Sequence, residues 1–281
     1  KELEGMFLEV ANQGHAHAAA QLGIMFQLGK GVKINMVESF KWNCLGAANG
    51  NMFAQHNVGR VYELGLLADV KIDLAEASKW YLKAAEQGVM LSQLAVGNFI
   101  IRGIGGPWQG SRETEAYKWW VKAAEQGHPQ AQYSVGQCLV SGIGTERNLK
   151  EGFIWLQKSA AQGQAEGLNC LAMFYNPTHK WQNPKHDDFK VKKSITKALD
   201  LLKKAMKKGH HPAKAPYVIL LASSRIGKYE EICDSCGKKD ALLFCSRCKG
   251  TSYCNRACQV DHWKKGGHKE TCVEIGCDAC R

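Results

Sequence analysis

Along residues 54–65 the apolar side chains Val58, Val61 and Tyr62, with Leu66 one step beyond, fall near the spacing of a helix with one buried stripe. A second helical stretch follows at 74–88, "LAEASKWYLKAAEQG", and ends at Gly88, a residue suited to a left-handed cap. This pair recurs. Aligned on its closing glycine the series is Gly50, Gly88, Gly127 and Gly163, at steps of 38, 39 and 36. Eight residues before each stands a tryptophan: Trp42, Trp80, Trp119 and Trp155. Three before each stands an alanine: Ala47, Ala85, Ala124 and Ala160. Further glycines follow Gly14, Gly50, Gly88 and Gly127 at nine residues (Gly23, Gly59, Gly97, Gly136) and at fifteen (Gly29, Gly65, Gly103, Gly142). The chain is an array of helix pairs.

Each pair needs its neighbours, because one pair alone does not bury both of its faces. The repeated Trp is expected to be the large packing knob. The small residue three before it (Ser39, Ala77, Ala116, Gly152) is expected to make room for the adjacent helix. A glycine inside a helix costs about 1 kcal/mol against alanine, so its recurrence predicts that another backbone comes close there. Residues that bind a partner should instead be exposed and differ from unit to unit. "GIGG" (103–106) and "GIGT" (142–145) recur at one place in the unit and read as turns between helices, not phosphate loops.

The nonapeptides "WYLKAAEQG" (80–88) and "WWVKAAEQG" (119–127), with the glycines around them, resemble the Sel-one-like repeat family, a relative of the tetratricopeptide repeats. The matching units are about 15–50, 51–88, 89–127 and 128–163, with a half unit before residue 14. A degenerate unit covers 164–209, where Ala172 replaces the first glycine, Leu201 replaces the Trp, and "NPTHKWQNPKHDD" (176–188) is inserted. The resemblance implies a mainly α fold, an α-solenoid over about 1–225, with an adaptor's role and no catalysis.

Charge and cysteine divide the chain again. Residues 1–179 hold 15 Lys/Arg and 15 Asp/Glu, whereas 180–281 hold 22 and 11 and carry the whole +11 excess. Nine of the twelve cysteines lie between 233 and 280. A boundary is therefore expected at 226–232. The basic stretch 190–209 sets Ile195, Leu199, Leu202 and Met206 on one helical stripe opposite its lysines. That is the outer helix of a last repeat with a solvated face; the sharper alternative is a surface for nucleic acid or an acidic partner. The longest apolar run, "YVILLA" (217–222), is far short of a membrane span. The chain opens at Lys1 inside an expected helix, so its true N-terminus is expected upstream. Cytoplasm or nucleus is the favoured compartment.

The last forty-odd residues read Cys233-x2-Cys236-x8-Cys245-x2-Cys248-x5-Cys254-x3-Cys258-x9-His268-x3-Cys272. Seven thiols and one imidazole make two tetrahedral sets, and Zn²⁺ prefers four such ligands. The rival, a disulfide module, fits poorly with a chain lacking secreted features. "YC" (253–254), "CQ" (258–259), "HW" (262–263) and "HK" (268–269) make this stretch resemble a MYND finger, a short β-hairpin plus a helix. The resemblance implies interleaved sites: Cys233, Cys236, Cys254 and Cys258 on one zinc, Cys245, Cys248, His268 and Cys272 on the other. Spacing alone also allows a sequential split. His262 is a rival ligand, and Gly266-Gly267 looks like a two-residue insertion against the family pattern. Both ions would be structural, since protein ligands fill every position.

The family binds proline-containing peptides beside its hairpin, and Gln259 and Trp263 occupy the contacting positions. The bland reading is that Trp263 packs the finger's own helix. Cys277 and Cys280, in the 273–281 tail, either begin another site or form a free pair. The function expected is a zinc-binding protein-interaction adaptor, the solenoid holding one partner and the finger another. A nucleic-acid-associated regulator and a ubiquitin-ligase-associated adaptor are the alternatives. An enzyme of the MYND-containing methyltransferase kind would need a catalytic domain where the repeats stand.

Overall fold

A computed structural model describes residues 2–106, 110–177, 179, 189, 191–226, 243–244 and 252–253. They fall into two compact units, residues 1–162 and 163–281, each described by itself. In the first unit the helices are α1 (Glu2–Asn12), α2 (Ala16–Leu28), α3 (Met36–Ala48), α4 (Met52–Leu64), α5 (Leu74–Glu86), α6 (Met90–Ile101), α7 (Arg112–Glu125), α8 (Pro129–Ser141) and α9 (Leu149–Ala161). Each helix from α1 to α8 packs on the one that follows it. The predicted solenoid of helix pairs is what forms.

Local chemistry sets the ends. Asn35, Asn51, Asp73, Ser111 and Asn148 cap α3, α4, α5, α7 and α9 by accepting hydrogen bonds from first-turn amides. Gly14, Gly50, Gly88 and Gly127 turn the chain at φ of 89–97°, a region costly for any residue with a Cβ. Leu66, placed on the apolar stripe by spacing, lies past the Gly65 cap and is 45% exposed.

Packing corrects the reading of the tryptophans. Trp42, Trp80, Trp119 and Trp155 are only half-buried. The ammonium groups of Lys83, Lys122 and Lys158 sit 4.3, 4.0 and 4.2 Å above the rings of the last three. The inserted knob is the next residue: Asn43, Tyr81, Trp120 or Leu156. A Cβ on Gly23, Gly59, Gly97 or Gly136 would stand 2.5, 2.9, 2.5 and 2.8 Å from these side chains in turn. The mid-helix glycines thus admit a side chain rather than a backbone, although at Gly136 the Gly152 carbonyl oxygen also lies 3.1 Å from that position. The small residues behave as expected: Ser39, Ala77, Ala116 and Gly152 are buried, as are Ala47, Ala85, Ala124 and Ala160.

A glutamine ladder stitches the seams. The Nε2 groups of Gln55, Gln93 and Gln132 donate to the carbonyls of Ala47, Ala85 and Ala124 at 3.2–3.3 Å. Their own Oε1 atoms accept from Gln87, Gln126 and Gln162 at 2.8, 2.7 and 2.9 Å. A buried amide needs such partners, and each pair also fixes the register of one unit on the next.

In the second unit α10 (Ala165–Tyr175) packs on α11 (Ile195–Lys207), followed by a 3-10 turn (His211–Ala213) and α12 (Lys214–Ile226). The buried stripe of α11 is Ala198, Leu201, Leu202 and Ala205; Ile195, Leu199 and Met206 flank it half-exposed. Lys197, Lys203, Lys204 and Lys207 face solvent as expected. Farther on, β1 (Leu243–Phe244) and β2 (Ser252–Tyr253) pair antiparallel, Leu243 opposite Tyr253 and Phe244 opposite Ser252. The predicted hairpin is present. Among the described residues no helix is long and apolar enough to cross a membrane.

Candidate functional site

The first unit carries a groove of about 580 Å³, within the range that accepts side chains of a partner. Its walls are the first helices of two successive pairs. From α4 come His56, Arg60 and Glu63; from α6 come Leu91, Leu94, Asn98, Phe99 and Ile101, with Arg102 at its end. Tyr81 of α5 and Trp120 of α7 reach in past Gly59 and Gly97, the glycines that leave room for them. The aromatic knobs belong to these two units alone; the equivalent positions hold Asn43 and Leu156.

Hydrogen bonds hold the groove in shape. The Tyr81 hydroxyl donates to Glu63 Oε2 at 2.6 Å, and Trp120 Nε1 donates to Asn98 Oδ1 at 3.1 Å. His56 Nδ1 shares a 2.8 Å hydrogen bond with the Ser92 hydroxyl and so ties α4 to α6. Burial, then the Arg60 charge, lowers the His56 pKa to about 4, which keeps the ring neutral. Burial and the Glu63 bond push the Tyr81 phenol well above its ordinary range. Tyr81 stands edge-on to Phe99 at 5.7 Å, and the Arg102 guanidinium lies 5.7 Å from the Phe99 ring centre. Leu91 and Ile101 are 47% and 41% exposed. The arrangement offers recognition: apolar purchase, aromatic faces and two guanidinium groups, while the Ser92 hydroxyl that meets His56 is fully buried. Burial pushes the Cys44 and Cys138 thiols up to about 11, which disfavours the thiolate.

The Sel1 repeat pattern matches residues 16–51, 53–89, 91–128, 129–164 and 186–210, more than half of the sequence. The chain belongs to the Sel1 repeat family. A MYND finger pattern matches residues 233–272 of this Sel1 repeat protein. The structure of c5321, a protective antigen of uropathogenic Escherichia coli displaying an SLR fold, superposes with a TM-score of 0.66 at 27% identity, over 81% of this chain and 45% of the antigen. A Sel1 repeat protein from Oxalobacter formigenes gives 0.61 at 25% identity, over 77% and 80% of the two chains. A curated relative, Ubiquitin C-terminal hydrolase 15 of Oryza sativa subsp. japonica, is 42% identical over 59 residues, which are 21% of this chain and 6% of the hydrolase. This chain therefore spans a small part of that relative.

The finger of this Sel1 repeat protein is a zinc-binding module. Its predicted ligands Cys233, Cys236, Cys245, Cys248, Cys254, Cys258, His268 and Cys272 lie outside the described residues, as do Gln259, Trp263, Cys277 and Cys280. The donor set suits the metal: seven thiols with one imidazole are soft and borderline ligands of the kind zinc selects. The paired strands bracket Cys245 and Cys248 in sequence, and Cys254 follows Tyr253 directly. Among the described residues no three metal-ligating side chains converge.

Sequence reasoning passed over the groove. Its residues sit where the repeat varies, and variation leaves no motif. The available signal was a comparison of units position by position, above all of the residue directly after each repeated Trp.

Proposed function

We propose that this Sel1 repeat protein is a non-catalytic adaptor that holds one protein on its repeat array and another on its MYND finger. Both modules are protein-interaction modules. The observation that carries the reading is the groove between α4 and α6: the frame repeats from unit to unit, while the exposed lining does not. A constant scaffold with a unit-specific lining is what selective docking requires.

In the finger, two structural zinc ions are held in interleaved fashion. Cys233, Cys236, Cys254 and Cys258 take one, and Cys245, Cys248, His268 and Cys272 take the other. Bound zinc supplies folding energy and no open coordination position. Gln259 and Trp263 form the contact for an extended proline-containing peptide, an indole being an effective anchor for such a chain. Ligand thiols of this kind stay reduced in the cytoplasm or nucleus, where we place the protein. Holding two partners together raises their effective concentration without new chemistry.

The test is affinity capture with the full chain and two full-length variants, Leu91→Asp/Ile101→Asp in the groove and Trp263→Ala in the finger. Each variant should lose a different set of captured proteins. Identical sets from all three would defeat the adaptor reading. A second reading rests on the exposed lysines of α11: this face binds nucleic acid, and affinity for it should fall steeply with added salt.

A further inference from the structure

We infer that the groove between α4 and α6 takes an acidic, apolar segment of a protein partner, whose carboxylates pair with Arg60 and Arg102 while its apolar side chains seat on Leu91 and Ile101. This deepens the docking role proposed above and rests on it.

The charge of the groove carries the inference. Arg60 and Arg102 are both exposed. Neither makes an ion pair among the described residues, where all four salt bridges use lysine. The one carboxylate in the lining, Glu63, is engaged by the Tyr81 hydroxyl. The one imidazole, His56, is bonded to Ser92. Two guanidinium groups thus face solvent across a groove whose other polar side chains each already hold a hydrogen bond, and two cations against the single Glu63 carboxylate leave the lining net positive. This is a local feature, since residues 1–179 are balanced in charge. The Phe99 ring beneath Arg102 restrains that planar fork, and a restrained guanidinium pairs with a carboxylate at smaller entropic cost than a lysine does. The floor argues against nucleic acid: exposed Leu91 and Ile101 offer apolar contact that a phosphate backbone cannot use, whereas leucine or phenylalanine from a peptide can.

The experiment is selection of a random-peptide phage library on the zinc-loaded full chain, with Arg60→Glu/Arg102→Glu as the counter-target. Both arginines are exposed, so the variant should keep the wild-type melting temperature, and circular dichroism checks this. Peptides recovered on the wild type and lost on the variant should place Asp or Glu beside Leu, Ile or Phe. A synthetic copy of such a peptide should bind about tenfold more weakly for each of Arg60→Gln and Arg102→Gln. Replacing its acidic residues with lysine should restore binding to the doubly reversed variant. Recovery of basic or uncharged peptides, or equal binding to all variants, overturns the acidic assignment. Tighter binding of a single-stranded oligonucleotide at the same arginines overturns it too. The adaptor reading stands or falls separately, on the capture experiment, which uses no peptide.

Discussion

Tyr81, Phe99 and Ile100 are buried in the array by Ala77, Ala116, Tyr62 and Trp120, side chains drawn from α4, α5 and α7. Residues 233–272 have forty positions in all, seven of them cysteine. The array gathers its core from neighbouring units. The finger is too short to gather one, and on the reading proposed above zinc stands in its place. What the difference teaches is where each region is vulnerable: the array at its seams, the finger at its ligands.

The sharpest way to break the comparison is to remove zinc. A strong chelator, or Cys245→Ser with Cys272→Ser, should abolish amide protection around the 243–253 hairpin, since a structural site contributes on the order of 10 kcal/mol. The thermal transition of the array should stay where it was. Persistent protection in the chelated finger would show that metal is not what folds it.

Next in size are changes at a seam. Gly97→Ala brings a Cβ to 2.5 Å from the Trp120 indole. The overpacking should cost about 1–3 kcal/mol with zinc content unaltered. In a Trp120→Ala background the same change should stabilise by up to about 1 kcal/mol, from helix propensity. A denaturation cycle over the four proteins measures the coupling. Gln93→Ala removes one hydrogen bond from the Ala85 carbonyl and one from the Gln126 amide, each of which keeps a backbone partner. It should cost about 2 kcal/mol, where Gln137→Ala, on an exposed face, costs under about 0.5 kcal/mol.

A smaller effect comes from His56, whose pKa falls from 6.5 to about 4 on folding. Below pH 6.5 the unfolded chain takes up a proton that the folded chain refuses. Stability from this residue is therefore complete above pH 6.5 and lost as the pH drops toward 4. His56→Gln should flatten that part of the melting-temperature profile. Smallest of all, Lys122→Met removes an exposed cation over Trp119 and should cost about 0.5–1 kcal/mol.

Much of the array was legible because repetition makes packing visible. Positions that every unit must satisfy, such as Ala85 and Ala124, recur and announce themselves. The tryptophans misled for the same reason: Trp80 and Trp119 recur, yet they recur as half-buried rings roofed by lysine. The true knobs, Tyr81 and Trp120, vary because each fits its own neighbour, and Gly59 and Gly97, expected to admit a backbone, admit these side chains instead. The groove was hidden further still. His56, Ser92, Arg60 and Arg102 share no motif, and three-dimensional stacking alone makes them neighbours.

The amino-acid order by itself determined the helix pair, its period, its caps and the match of residues 233–272 to a zinc-binding finger, because these depend on local dihedral preference, apolar spacing and ligand chemistry. The tertiary structure decided which side chain fills each mid-helix glycine, how the glutamines join one unit to the next, and which charges are left unpaired in the groove. Those outcomes depend on contacts between residues some twenty to forty positions apart, whose geometry no single stretch of sequence contains.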